Sequence, residues 1–109
     1  GSLPARAAGR PAEGELFVPE GTVFTGAVLR RVREARGLNL SQLAERTRIT
    51  RHHLENLEAD RHDKLPAAVY LRGILLMVAR ELRLDGPKVA KSYLDSIAAA
   101  KAAHAAKLK

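Results

Sequence analysis

The chain of 109 residues contains neither cysteine nor tryptophan, and its phenylalanines and tyrosines number only two each. Without cysteine it can form no disulfide and perform no thiolate chemistry, which fits a reducing compartment. Acidic residues are also few: 12 stand against 19 lysines and arginines, so the formal net charge is +7 at pH 7. Such a basic chain favours an acidic partner, namely nucleic acid, an anionic membrane surface or an acidic protein.

Patterns typical of catalysis or metal binding are missing as well. The sequence shows no nucleophile paired with a base, no pair of carboxylates placed for acid–base chemistry, and no glycine-rich phosphate loop. The neighbouring His52 and His53 would point about 100° apart on a helix, so they could not easily share one ion. We therefore expect a chain that is not an enzyme and that needs neither a metal nor a cofactor.

Long apolar runs and targeting signals are also missing. The most apolar stretch, residues 65–82, is interrupted by Arg72 and Arg80, whereas a helix that crosses a bilayer needs about 20 apolar residues. The N-terminus lacks the basic start and apolar core of a secretory signal. We expect a cytoplasmic segment that itself makes no membrane contact, within a longer protein that is compatible with a membrane anchor elsewhere.

Composition and hydrophobic periodicity divide the chain into four segments. They are a disordered lead-in over 1–15 that opens with a Gly-Ser remnant of cloning, an extended arm over 16–24, a helical domain over 25–100, and a basic Ala/Lys tail over 101–109. The arm is expected to pack one or both of its phenylalanines, Phe17 and Phe24, on the domain. The tail is expected either to extend the last helix or to fray.

Capping residues and apolar spacing predict an all-α fold of five helices without strands. The expected helices follow the caps Thr25, Thr50 and Asp85 or begin near Ser41 and Ala67, and they cover about 25–36, 41–47, 50–59, 67–83 and 85–100. Short polar connections between them are typical of a small bundle. The sequence therefore predicts one compact helical domain.

Residues 40–61 have the order of a helix-turn-helix, although another small helical bundle could show the same pattern. Ala44 is small where two helices would cross, and Ile49 would fill the turn. Leu54 and Leu57 would point inward from the second helix of the pair. These four residues are predicted to be structural.

A helix-turn-helix that reads DNA needs basic or amide side chains on the outside of its second helix. The candidates for such contacts are Arg48, Arg51, His52 and Asn56. Against this reading, residues 50–64 carry three basic and four acidic side chains, so this surface would neutralise few phosphates.

The stretches LSQLAERTRIT, LPAAVYLRG and LRLDGPKVAKSYL, at their spacing, resemble the cytoplasmic helix-turn-helix domain of the RodZ family of bacterial cell-shape proteins over about residues 24–97. The resemblance implies a five-helix, repressor-like fold that docks a protein, which in RodZ is the actin-like filament protein MreB. Phage-repressor-like regulators usually have glutamine where this chain has Leu40 and glycine where it has Arg48. Because arginine at a positive φ costs about 1 kcal/mol, we expect a turn of different build.

The same resemblance places the docking face on the fourth helix, where Ile74 and Val78 lie one turn apart. RodZ-like domains tend to carry aromatic residues at the positions of His62, Ile74 and Val78. Since aromatic side chains often carry interface energy, their replacement here weakens the case for MreB itself. A filament-forming partner of the MreB type and a different protein partner both stay open. Tyr70 joins these three as a docking candidate, although a core position is favoured for both Tyr70 and Tyr93.

Three further structural roles are expected from the residues themselves. Glu58 is predicted to be the structural partner of an arginine. Arg72 is expected to pair with such a carboxylate inside the bundle or else to stay solvated, and the pairing is favoured. Gly73 is predicted to let another helix approach closely, because glycine within a helix costs about 1 kcal/mol relative to alanine. Three functions remain open at this point. They are protein docking in a cytoskeletal or scaffold adaptor, DNA binding by a transcriptional regulator, and self-association through the fourth helix.

Overall fold

The computed structural model describes residues 18–107, which form five α-helices, one short 3₁₀ turn and no strand. The helices are α1 (Gly26–Ala35), α2 (Leu40–Thr47), α3 (Arg51–Glu58), α4 (Ala68–Glu81) and α5 (Gly86–Lys107), with the 3₁₀ turn His62–Lys64 between α3 and α4. The predicted all-α fold with a helix-turn-helix is confirmed. The predicted lead-in and Phe17 lie outside the described residues.

Polar side chains cap four of the five helices. The hydroxyls of Thr25 and Thr50 accept hydrogen bonds from backbone N–H groups three residues on, and the Asp85 carboxylate does the same for α5. Asn39 and Gln42 form a reciprocal capping box, with both hydrogen bonds 2.8 Å long. This box begins α2 at Leu40, one residue before the predicted start, because it satisfies the first free N–H groups of the helix.

The connections after four helices contain a residue in the left-handed conformation, and only one of the four is glycine. Gly37 has φ 76°, while Arg48, Asp60 and Arg83 have φ values of 62°, 55° and 60°. The expectation that the turn at Arg48 is built differently is therefore wrong. Burial of the neighbouring Ile49 in the core holds the turn in this form, at a cost of about 1 kcal/mol for the non-glycine residue.

The core runs without interruption from the arm to α5. Phe24 is buried at the end of the arm, and its N–H donates to the Ser92 hydroxyl over 2.7 Å. Leu75 and Val89 are fully enclosed where α4 packs on α5. On its other side α4 contacts α2, so this helix joins the helix-turn-helix to the rest of the domain.

The close helix approach occurs at Gly26 and not at Gly73. A Cβ atom on Gly26 would collide with the carbonyl oxygen of Glu58 and lie 2.5 Å from that of Leu57, whereas a Cβ on Gly73 would meet nothing within 4 Å. The predicted packing role of Gly73 is therefore wrong, because this residue lies on the solvent side of α4. The start of α1 instead abuts the end of α3, where the N–H of Gly26 also donates to the Asp60 carboxylate over 2.9 Å.

The last helix continues through residues 101–107, where all side chains are exposed. Alanine has the highest helix propensity of any residue, so this stretch can stay helical while burying nothing. Among the described residues, no helix is both long enough and apolar enough to cross a membrane.

Candidate docking face and helix-turn-helix surface

One face of α4 presents apolar side chains to solvent. Val69, Tyr70 and Met77 are 75%, 71% and 44% exposed, and they are three of the four large hydrophobic residues that are exposed within residues 18–107. They recur at helical spacing around Gly73, so all four positions share one face. We call Val69, Tyr70, Gly73 and Met77 the α4 stripe.

Two predicted docking residues lie beside the α4 stripe or behind it. Val78 is 1% exposed and belongs to the core, so its prediction as a docking residue is wrong. The reason is the helical rotation of about 100° per residue, which turns Val78 away from the exposed Met77 and toward the same side as Leu75. Ile74 is half-buried and packs against the core at the edge of the stripe.

The two tyrosines occupy opposite environments. Tyr93 is fully buried, as predicted, and its hydroxyl donates to the carbonyl of Leu57 over 2.7 Å. Burial, and next the nearby Asp60 carboxylate, hold the pKa of Tyr93 well above its ordinary value. The core position predicted for Tyr70 is wrong, because its neighbour Leu71 enters the core at that level of α4 and Tyr70 projects into solvent.

His62 lies in the 3₁₀ turn between α3 and α4. Its ring meets the ring of Tyr93 edge-on, with centroids 5.7 Å apart, and its Nε2 atom lies 3.5 Å from the Asp60 carboxylate. Most of its side chain is buried. This docking candidate therefore has a packing role against α5.

The helix-turn-helix surface offers fewer free side chains than predicted. Asn56 is buried between His52 and Arg61, with hydrogen-bond distances of 3.3 and 3.2 Å, so its prediction as a base contact is wrong. The Arg51 guanidinium is exposed but bonds to Glu55 over 3.1 Å and to the Ser41 hydroxyl over 3.1 Å. Arg48 and His52 are exposed, and they are the remaining candidates for DNA contacts.

The partner of Glu58 is Arg33 and not Arg72. Two parallel hydrogen bonds of 2.7 and 2.9 Å join the Arg33 guanidinium to the Glu58 carboxylate, and both side chains are only 9% exposed. A third bond of 2.8 Å runs from Arg33 to the carbonyl of Leu38. The hydrogen bond to Glu58 raises the pKa of Arg33. The predicted Arg72–Glu58 pair is wrong because Arg72 faces solvent from α4.

The Arg33–Glu58 pair clamps α1 to α3 and thereby holds the helix-turn-helix against the first helix. One signal in the sequence could have identified it, since Arg33 follows the apolar Leu29 by four residues and so shares the inner face of α1. The other predicted structural residues lie in the expected environment. Ile49, Leu54 and Leu57 are buried, and Ala44 packs against the core.

The sequence that forms this helix-turn-helix is similar to known proteins. The family model described as "Helix-turn-helix domain" matches residues 28–89, which is more than half of the chain. The cytoskeleton protein RodZ of Streptococcus pneumoniae (strain ATCC BAA-255 / R6) is 40% identical over 68 residues, which are 62% of this chain and 25% of that protein. The matched part thus spans about a quarter of this relative. No solved structure matches the chain significantly.

Proposed function

Since this chain belongs to the family of helix-turn-helix domains and is related to RodZ over that domain, we propose that it docks a protein partner through the α4 stripe. The observation that carries the proposal is the exposure of Val69, Tyr70 and Met77 on one helix face. Burying a side chain of this size is worth about 1.5–3 kcal/mol. A partner that covers the stripe would therefore gain several such contributions, with Tyr70 as the aromatic anchor.

The bare centre of the α4 stripe supports the same proposal. Gly73 has no neighbour within 4 Å of the position that a Cβ would take, so nothing within the described domain requires a glycine there. A glycine inside a helix costs about 0.5–1 kcal/mol relative to alanine. A hollow between Tyr70 and Met77 would let the backbone of a partner approach α4 closely.

The partner is proposed to belong to a cytoskeletal or scaffold assembly. The relative is a cytoskeleton protein by name, and a filament protein of the MreB type is the first candidate to test. A cytoplasmic location and a non-enzymatic, adaptor-like role belong to the same proposal, because both follow from the likeness to RodZ.

The experiment compares two variants that each place a carboxylate on an exposed apolar position. Tyr70→Asp alters the α4 stripe, while Val23→Asp alters the arm, where Val23 is the fourth exposed large hydrophobic residue. Co-sedimentation with polymerised bacterial MreB should fall at least tenfold for Tyr70→Asp and stay within twofold for Val23→Asp. Equal binding by both variants would remove the stripe from the proposal.

A second measurement distinguishes self-association through the α4 stripe from docking of a different protein. Sedimentation velocity of the unmodified chain at several concentrations detects a dimer, and Tyr70→Asp should dissolve such a dimer if the stripe forms it. A dimer that persists in Tyr70→Asp would show that self-association uses another surface.

DNA binding is the second candidate, favoured by the exposed Arg48 and His52 on the helix-turn-helix. The contacts of α3 weaken it, because Asn56 is buried and Arg51 is already paired with Glu55. Titration of duplex DNA over a series of salt concentrations tests it. Phosphate-led binding must weaken steeply with salt and must fall when Arg48 is replaced by alanine.

A further inference from the structure

A polar cavity of about 440 Å³ lies where the ends of α1 and α4 meet α2. Three arginines from three different elements line it: Arg36 follows α1, Arg46 belongs to α2, and Arg83 follows α4. One carboxylate, that of Glu81, lines the same cavity. The four side chains together carry a formal charge of +2.

Internal contacts leave this charge uncompensated. Over residues 18–107, none of the three guanidinium groups has a carboxylate within 4.0 Å, and neither Arg46 nor Arg83 donates a side-chain hydrogen bond. Arg36 is held in place by a 2.9 Å bond from its Nε to the carbonyl of Leu82, while its Nη1 atom is shielded from solvent without a described acceptor. A buried donor without a partner is costly.

Helix capping explains only part of the cluster. The carbonyl ends of α1 and α4 attract cations, and the bond to Leu82 accounts for Arg36 in this way. Arg46 lies in the last turn of α2 and Arg83 comes directly after the C-cap of α4, so the same attraction favours each of them singly. Arg83 adopts φ 60°, where glycine would avoid a cost of about 1 kcal/mol. This attraction does not explain why the arginines of three helix ends gather around one cavity, with no carboxylate of residues 18–107 within 4.0 Å of any of their guanidinium groups.

We propose that this cavity binds the phosphate group of a small anion. One guanidinium group can donate two parallel hydrogen bonds to two oxygens of a phosphate. The +2 charge of the four side chains also balances the charge of about −1.5 to −2 that a phosphate monoester carries near pH 7. Gln42 supports this chemistry: its Oε1 accepts a bond from the Asn39 N–H, which leaves its amide N–H₂ available to donate.

The lining also restricts the rest of the ligand. Leu38 is its one apolar member and no aromatic side chain takes part, so the cavity offers nothing on which a base could stack. The proposed ligand is therefore a compact phosphate compound, whether free in solution like pyrophosphate or carried by a lipid headgroup. The site shares no residue with the α4 stripe, since its members near α4 are Glu81 in the last turn and Arg83 after the helix.

Titration with sodium pyrophosphate, followed by amide chemical shifts and matched in ionic strength to sodium chloride, tests the proposal. Saturable shifts are expected at the amides of Gly37, Leu38 and Gln42. Arg46→Ala should weaken binding about tenfold, since it removes a charged donor. Arg31→Ala removes the same charge from an exposed position on α1 outside the cavity and should change the affinity less than twofold.

Three results would overturn the site: shifts that chloride reproduces, shifts that do not saturate, or equal weakening by Arg31→Ala and Arg46→Ala. Thermal midpoints of both variants verify that the fold persists, and Arg83→Ala is the second cavity variant, expected to weaken binding as Arg46→Ala does.

Co-sedimentation with phosphatidic acid vesicles, compared with phosphatidylcholine vesicles, identifies the source of the phosphate group. If the protein sediments with phosphatidic acid vesicles and Arg46→Ala abolishes this, the phosphate belongs to a lipid headgroup. If the protein binds pyrophosphate but does not sediment with the vesicles, the ligand is a free anion.

Discussion

Removal of one partner of the Arg33–Glu58 pair should be among the most destabilising single side-chain changes in this domain. Replacing Arg33 with methionine keeps much of the side-chain volume but leaves the Glu58 carboxylate buried without its partner and removes the donor to Leu38. Breaking a buried ion pair in this way costs about 3–5 kcal/mol. A small domain has only about 5–15 kcal/mol in total, so Arg33→Met should lose much of its stability.

The assay is urea unfolding followed by circular dichroism at 222 nm. The double variant Arg33→Met/Glu58→Leu should recover most of the loss, because an apolar pair of similar volume avoids the desolvation of both charges. Arg30→Met is the matched control, since Arg30 pairs with Glu34 four residues on but the two side chains are 64% and 52% exposed. It should cost less than about 0.5 kcal/mol.

The reasoning is refuted if Arg33→Met costs no more than Arg30→Met. It is also refuted if the double variant is less stable than Arg33→Met, because that result would place the energy in contacts other than the charge pair. The slope of the unfolding curve must stay constant across the series for these free energies to be compared.

Two further predictions concern backbone space and pH. Gly26→Ala should destabilise the domain by more than about 2 kcal/mol, since the new Cβ would collide with the carbonyls of Glu58 and Leu57. Gly73→Ala should instead stabilise the domain by up to about 1 kcal/mol. Thermal unfolding measures both variants, and equal changes in stability would contradict the packing described for the two glycines. Stability should fall above about pH 10, where tyrosine in the unfolded chain ionises while the raised pKa of Tyr93 keeps the folded hydroxyl protonated. Tyr93→Phe should reduce this fall, at a cost of about 1 kcal/mol at neutral pH for the lost bond to Leu57, and an unchanged pH profile would contradict the assignment.

The sequence by itself determined the helices and most of their ends. Thr25, Thr50 and Asp85 cap helices where they were predicted to, because a cap is a contact between residues only three positions apart. The position of Gly37 after α1 is equally local. The likeness to RodZ over the helix-turn-helix was visible in the sequence for a related reason: the motif residues lie within one continuous stretch.

Only the tertiary structure decided which side of α4 faces outward. The helix is apolar on almost every side, so its periodicity does not distinguish core from surface, and Val78 and Tyr70 exchanged the places predicted for them. The partner of Glu58 and the role of Gly26 were also undetermined, because each depends on a contact between helices distant in sequence. The packing of the helices decides which of several arginines pairs with Glu58 and which glycine lies at a close helix contact. The pattern of residues along a single helix does not determine either choice.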